Sequence, residues 1–179
     1  MSVRQDDLDR VHAGDRTPLS QQVSDVVERI PDDHYRELTA VHPLQANHDL
    51  GTVLAECAPF ADWTGRTDAV YVLECTNSPG ADHAARAQLG LQHSVEWPRE
   101  ASTAERRLYV GVSNRVAISI WQHVAGVGAD FCAIFPPARI LDLSFYDRPS
   151  EARHAAAMTA EMVRERFPED YVAHSERRH

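Results

Sequence analysis

The sequence predicts an α/β domain in which a small sheet of three strands is flanked by helices. Two apolar runs, Ala69–Cys75 and Arg107–Val112, each contain a tyrosine and are rich in β-branched residues, which is typical of strands. A third run, Arg139–Phe145, alternates apolar side chains as a strand does. Segments with apolar residues at helical spacing lie before, between and after these runs. A chain of 179 residues with 43% hydrophobic content is long enough for one domain with its own core.

The residues before the first strand are predicted to add helices to this domain. Residues 1–17 are polar and lack a periodic apolar pattern, which predicts disorder. Residues 18–68 are predicted to form an N-terminal helical extension, in which a first helix begins at Pro18 and ends before Pro31. A second helix is predicted over His34–Val41. Because neither helix is long enough to be stable alone in water, we expect both to dock on the sheet domain.

The remaining helices follow each predicted strand in turn. An insertion at 76–106 separates the first two strands and includes a predicted helix over Asp82–Leu91. A helix over Arg115–Val124 follows the second strand, and a last helix begins at Ser150-Glu151 and runs through Arg166. Residues 168–179 are predicted to be a polar tail. Long insertions are tolerated on protein surfaces, where they often cover a site or provide specificity.

The composition restricts the partners that the chain can have. It carries 27 acidic and 18 basic residues, a net charge of −9, and this balance opposes non-specific binding to a phosphate backbone. Its apolar runs are all shorter than the roughly 20 residues that span a bilayer, and the N-terminus lacks the apolar run of a secretory signal. We therefore expect a cytoplasmic protein without a membrane partner.

The cysteines and histidines give no sign of a metal cofactor. Cys57, Cys75 and Cys132 are widely spaced and form no CxxC pair, so they are predicted to occupy core positions as small apolar residues. Ten histidines are present, but none belongs to an HExxH motif or to a Cys/His cluster. On spacing alone, no cofactor is predicted.

The order of these motifs resembles the core of the GIY-YIG nuclease superfamily over residues 69–167. Tyr71 matches the first family tyrosine, and Tyr109, followed by Val110-Gly111, matches the second. His123 matches a position that often holds histidine or tyrosine in the next helix, and Ser150-Glu151-Ala152 resembles the start of the last helix. The resemblance implies a three-stranded, mainly antiparallel sheet flanked by helices.

The resemblance also implies a set of site residues. In this family two tyrosines, an arginine on the following helix and a glutamate on a later helix form the site, and the glutamate holds a divalent metal. Carried over to this chain, the site residues are Tyr71, Tyr109, Arg115, His123 and Glu151. Glu151 is the residue that would bind magnesium or manganese in an active enzyme, because these ions prefer oxygen ligands.

Two of the family positions hold residues that cannot do the family's chemistry. The arginine position falls at Ser119, and Arg115 lies one turn too early. The position of the metal-binding glutamate falls at Ala156, whose side chain offers no oxygen ligand. Losing a group that stabilises transition-state charge typically costs a few kcal/mol, or hundreds-fold in rate. The sequence therefore predicts a catalytically degenerate protein.

Three functions stay open at this point. The first is a degenerate nuclease-like domain that acts through binding a nucleic acid or a protein. The second is an active, divergent, metal-dependent DNA endonuclease, in which Glu151 or Glu161 binds the metal and Arg115 or Arg107 approaches the site from another direction. The third is a structural protein whose N-terminal helices cover the old active-site face. Taken singly, tyrosines in strands are more often half-buried structural aromatics than catalytic residues.

Overall fold

The computed structural model of the chain describes residues 17–35, 40–61, 65–76 and 96–175, which form four strands, six α-helices and one short 3₁₀ helix. In chain order the elements are α1 (Leu19–Arg29), α2 (Leu50–Cys57), the 3₁₀ helix Ala58–Phe60, β1 (Asp68–Cys75), α3 (Trp97–Thr103), β2 (Arg107–Ser113), α4 (Val116–Val124), α5 (Asp130–Ile134), β3 (Pro137–Tyr146), α6 (Pro149–Arg166) and β4 (Tyr171–His174).

The four strands form one mixed sheet in the order β3-β1-β2-β4. β1 is antiparallel to both of its neighbours, and β4 runs parallel to β2. The α/β class is confirmed, but the prediction of a three-stranded, mainly antiparallel sheet is wrong, because β4 forms within the predicted polar tail. Only Val172 in this four-residue strand is fully buried, so the alternation that signals a strand is too short to recognise.

Side chains of the sheet alternate between two cores, one on each face, as the pleat of a strand requires. Tyr71 and Leu73 of β1 belong to the first core, to which α2, α4 and α5 contribute. Val70 and Val72 belong to the second core, which is covered by α1 and α6. A side chain's place in a strand therefore determines which of two separate surfaces it can serve.

Most elements around the sheet agree with the sequence-based bounds. β1, β2, β3, α1, α4 and α6 each begin and end within two residues of the predicted positions. α2, α3 and α5 have no counterpart in the prediction. They are short helices of eight, seven and five residues, which depend on tertiary packing more than on local pattern.

Some predictions fall on residues outside the described ranges. These are the disorder of the first 16 residues, the helix over Asp82–Leu91 and the middle of the helix over His34–Val41, although His34, Tyr35 and Val41 themselves are not helical. Within the described part of the chain, no helix has the length and apolar character that crossing a membrane requires.

A buried ion pair ties the segment after α1 to the sheet. Arg139 of β3 lies opposite Glu74 of β1, and its Nε donates to Glu74 Oε2 at 2.7 Å. The Tyr35 backbone N–H donates to the other carboxylate oxygen at 2.9 Å, and Arg139 Nη2 donates to the Asp33 carbonyl at 2.9 Å. Both charged side chains are buried, so each depends on the other for compensation.

A second buried ion pair strengthens the same attachment. The Arg106 guanidinium lies 2.6 Å from Asp170 Oδ2 and donates to the Pro31 carbonyl at 2.6 Å. It also lies over the Phe167 ring, 4.6 Å from the centroid, in a cation–π arrangement. The chain that follows α1 is thus joined to the sheet by two buried arginines that are each paired with a carboxylate.

Candidate functional site

The two family-matched tyrosines lie side by side in the first core. Tyr71 of β1 pairs with Gly111 of β2, and Tyr109 lies two residues along β2, so the two rings are diagonal neighbours with centroids 6.3 Å apart. The Tyr71 ring lies across Gly111, where an added Cβ would stand 2.2 Å from Tyr71 Cζ. Glycine at this position is therefore what allows Tyr71 to lie flat against the sheet.

His123, in the last turn of α4, completes the group. Its Nε2 lies 2.8 Å from Tyr71 Oη, and the Ala129 backbone N–H donates to Nδ1 at 3.1 Å. Because Nδ1 accepts a hydrogen bond, the proton of the neutral ring is on Nε2, which donates to the Tyr71 hydroxyl. We refer to Tyr71, Tyr109 and His123 as the tyrosine–histidine cluster.

The glycine loop after α4 brings the Ala129 amide to the histidine. Gly126 adopts a φ of +76°, a left-handed conformation that glycine adopts without strain. The backbone N–H groups of Val127 and Gly128 both donate to the Gln122 carbonyl at 3.0 Å. A Cβ on Gly128 would lie 2.2 Å from His123 Nδ1, so only glycine fits where the loop passes the imidazole. The Gly-Val-Gly motif thus orients the histidine.

Aromatic side chains from later elements close the cluster. Phe131 of α5 stacks on Tyr109, with centroids 6.0 Å apart and ring planes 17° apart. On its other flank Phe131 stacks on Tyr171 of β4 and contacts Trp97 of α3. All three members of the tyrosine–histidine cluster are buried. The cover comes from α3, α5 and β4, whereas α1 packs on the opposite face of the sheet.

Burial determines the ionisation of the tyrosines. Burial, together with the nearby Tyr109 and Cys132, raises the pKa of Tyr71 well above its usual value of 10.0. Burial likewise raises the pKa of Tyr109. Both phenols are therefore neutral at physiological pH, and neither is suited to accept a proton from an attacking water.

Two thiols lie next to the cluster. Burial raises the pKa of Cys75 well above its usual value of 9.0, and the contact with Cys132 adds to this shift. For Cys132, burial also acts to raise the pKa, but the neighbouring Cys75 and His123 outweigh burial and lower the pKa to about 6. Both thiols are inaccessible to a substrate, since Cys132 is fully buried and Cys75 nearly so.

The other two predicted site residues are not part of this cluster. Arg115 precedes the first residue of α4 and is exposed, and its backbone N–H donates to Ser113 Oγ at 2.9 Å. Glu151 lies in the first turn of α6, which packs on the second core. The residues at the family positions of the arginine and of the metal-binding glutamate also lie outside the cluster. Ser119 donates to Ser113 Oγ at 2.7 Å, and Ala156 is buried in the second core.

The residues around the cluster do not fit a magnesium or manganese ion. These ions prefer carboxylate and carbonyl oxygens, and the cluster offers two phenols, an imidazole and two thiols. Glu151 is separated from it by the sheet. In the described ranges, no three His, Cys, Asp or Glu side chains come together as a metal site would require.

Arg107, which the active-endonuclease alternative places near the site, is a neighbour of the cluster. It precedes Tyr109 by two residues on the same strand face and lies opposite Cys75. Burial lowers its pKa, and its Nη1 donates to the Ala101 and Ala104 carbonyls at the end of α3. Its buried Nε has no hydrogen-bond partner among the residues that the structure describes. The alternation of side chains along β2 places Arg107 on the same face as Tyr109.

Comparison of the chain with family models, with curated proteins and with solved structures finds no match. The GIY-YIG resemblance therefore remains an expectation that rests on the order of the motifs. The function has to be inferred from the geometry of the tyrosine–histidine cluster and from the surfaces around the sheet.

Proposed function

We propose that this chain is a GIY-YIG-like domain that does not cleave nucleic acid and acts by binding a partner protein. The observation that supports the proposal is the closure of the tyrosine–histidine cluster. Tyr71 is 2% exposed, Tyr109 3% and His123 6%, and the polar atoms of Tyr71 and His123 satisfy one another. A phosphodiester has to contact the groups that act on it, and all three are buried, with Phe131 stacked on Tyr109.

The chemistry of the cluster supports the same proposal. Its phenols are neutral, the described residues bring no group of metal-binding carboxylates to it, and Glu151 lies beyond the sheet. An arginine that stabilises a phosphoryl transition state contributes about 10³–10⁵ in rate, and losing the metal removes the main electrostatic contribution. What remains is an arrangement that orients α4 and its glycine loop against the sheet.

The charge of the chain favours protein over nucleic acid as the partner. Binding a phosphate backbone depends on releasing counterions from a positive surface, and this chain has a net charge of −9. We therefore propose a protein partner, and DNA binding is the experimental result that would contradict this choice.

The test is a cleavage assay with end-labelled branched and single-stranded DNA in magnesium or manganese. We expect no metal-dependent cutting by the wild-type chain. Tyr109→Phe and Glu151→Gln probe the predicted site, and Tyr146→Phe is the matched control, because Tyr146 is a buried tyrosine in the second core. Cutting that requires the metal, disappears in Tyr109→Phe and persists in Tyr146→Phe would overturn the proposal.

Binding to the same DNA is measured by fluorescence anisotropy at low salt. We expect no saturation below about 100 μM, the weak end of non-specific binding to DNA. Saturation at micromolar concentration, with an affinity that falls steeply as salt is added, would make nucleic acid the partner and contradict the protein assignment.

A further inference from the structure

The two edges of the sheet differ in how they are covered. β4 is only four residues long, and the Arg164 side chain donates to its Val172 carbonyl at 3.0 Å. Short edge strands with capped backbone groups resist pairing with other chains. At the other edge, the first half of β3 is covered by the segment 42–44. There the Leu44 N–H donates to the Ala138 carbonyl, and the Ile140 N–H donates to the His42 carbonyl.

The second half of β3 lies beyond a bulge, and no described segment covers it in this way. The register of β3 on β1 shifts between Val72 and Leu73, which leaves Leu141 as the extra residue. Past this bulge, the outer edge of Leu143–Tyr146 pairs with no extended segment in the described ranges. Among the described residues, the segment 42–44 thus pairs with the first half of this edge through a single bridge at Pro43, and the pairing does not continue along the second half.

A groove of about 360 Å³ follows this uncovered part of β3, between α1 and the 3₁₀ helix. We call it the edge groove. All four consecutive residues of Leu143–Tyr146 line it, so its floor is the edge of the strand and not one of its faces. Four residues of a strand extend about 13 Å, which is enough to pair with a short extended peptide. A backbone is therefore the occupant that this shape suits.

The two walls of the edge groove differ in chemistry. α1 contributes three polar residues and one apolar residue to one wall, Gln22, Asp25, Arg29 and Val26, and Phe60 and Ala61 line the other. In a strand added at this edge, successive side chains would point alternately to the two walls. The groove therefore favours a segment in which apolar and polar side chains alternate.

Arg29 indicates which charge the polar side chains of a bound segment would carry. Its Nε donates to Asp142 Oδ1 at 3.2 Å and its Nη2 to Ser144 Oγ at 3.3 Å, which orients the guanidinium. The side chain is 55% exposed, and its Nη1 has no partner among the described residues. Arg66 lines the same groove from another direction. An oriented guanidinium whose Nη1 still has N–H groups to donate can bind the carboxylate of an incoming acidic side chain.

We propose that the edge groove binds an extended segment of a partner protein, which pairs with Leu143–Tyr146, places an acidic side chain against Arg29 and places an apolar one against Phe60. This inference rests on the proposed protein-binding function and identifies the surface that performs it. Addition of a strand to an exposed sheet edge is an established mode of peptide recognition, in which backbone pairing provides affinity and side-chain pockets provide specificity.

The probe is a fluorescein-labelled hexapeptide of alternating valine and glutamate with blocked ends, titrated with the full chain by anisotropy. We expect saturable binding below about 1 mM. A peptide with lysine in place of glutamate should bind at least about tenfold more weakly, since it lacks the carboxylates. A peptide of the same sequence with alternate backbone nitrogens methylated should not bind, because it cannot pair with a strand.

Protein variants identify the wall that provides the charge preference. Arg29→Gln should weaken binding of the glutamate peptide about tenfold, and Arg66→Gln should weaken it in the same direction. Arg153→Gln is the matched control, because Arg153 is an exposed arginine of α6 outside the groove. Since Arg29 contacts the buried Asp142, circular dichroism checks that its variant folds, and Arg66→Gln carries the test if it does not.

Several results would overturn the inference. They are the absence of saturation at about 1 mM, equal binding of the glutamate and lysine peptides, and undiminished binding of the methylated peptide. A dimer in sedimentation that the glutamate peptide fails to dissociate would make a second copy of the chain the occupant. DNA cleavage would overturn the proposed function and leave the peptide result standing, whereas failure of the peptides alone would overturn only this inference.

Discussion

The buried pair of Arg139 and Glu74 offers the most quantitative test of how the chain is held together. Arg139→Met keeps the length of the side chain and removes its charge. Glu74, with 4% of its side chain exposed, then loses its 2.7 Å partner and keeps the Tyr35 N–H. Removing one member of a buried ion pair costs about 3–5 kcal/mol, since the other charge is left uncompensated. This is a large part of the roughly 5–15 kcal/mol by which domains are stable.

The measurement is urea unfolding followed by tryptophan fluorescence and circular dichroism. With a slope of about 2 kcal/mol per molar, the midpoint of Arg139→Met should fall by about 2 M. Arg153→Met, at an exposed arginine of α6, should change the free energy of unfolding by no more than about 0.5 kcal/mol. The double variant with Glu74→Met should recover most of the loss, because no uncompensated charge is left at this position.

Two results would refute this reasoning. A cost below about 1 kcal/mol for Arg139→Met would mean that water reaches the pair and compensates Glu74. A double variant as unstable as Arg139→Met alone would mean that lost packing, and not the stranded carboxylate, causes the effect.

Three further predictions concern the tyrosine–histidine cluster. Gly111→Ala places a methyl group 2.2 Å from Tyr71 Cζ and should cost about 1–3 kcal/mol in urea unfolding, with no loss if the ring can move aside freely. Phe131→Ala removes the cover of Tyr109 and should cost about 3–5 kcal/mol in the same assay, and a cost below 1 kcal/mol would contradict its packing role. Burial raises the pKa of Tyr71 and Tyr109, so stability is full below the unfolded pKa of about 10 and falls as the pH rises past it. The two phenols should together lower the free energy of unfolding by about 3 kcal/mol at pH 11, and Tyr109→Phe should halve this loss relative to its value at pH 8.

Three of the four strands could be predicted because each has a long run of residues with high strand propensity. The runs that became β1, β2 and β3 combine β-branched and aromatic residues over seven to ten positions. β4 and α5 have four and five residues, and both are stabilised by contacts with distant elements, such as Tyr171 stacking on Phe131. Local pattern does not contain that information.

The candidate site could also be predicted only in part: three of its residues come together, and Glu151 does not join them. Tyr71, Tyr109 and His123 lie together because strand pairing and the following helix bring them to one face. Glu151 lies on the other face because α6 covers the second core. An amphipathic helix pattern shows that a helix packs, but not on which side of a sheet. The closure by Phe131 was likewise beyond a single sequence, because it depends on stacking between distant elements.

The central claim, that the tyrosine–histidine cluster is closed to any substrate, is tested most directly by the alkylation rate of Cys132. Against the effect of burial, the neighbouring Cys75 and His123 lower the pKa of this thiol to about 6. A reachable thiol is at least partly ionised at pH 8 and reacts with iodoacetamide, so access decides the rate. Cys132 is fully buried beside His123, and mass spectrometry separates its modification from that of the other two cysteines. We predict that native Cys132 reacts at least about a thousandfold more slowly than in the urea-unfolded chain, since modification requires unfolding. A native rate within about tenfold of the unfolded rate would show an open cluster and contradict the account.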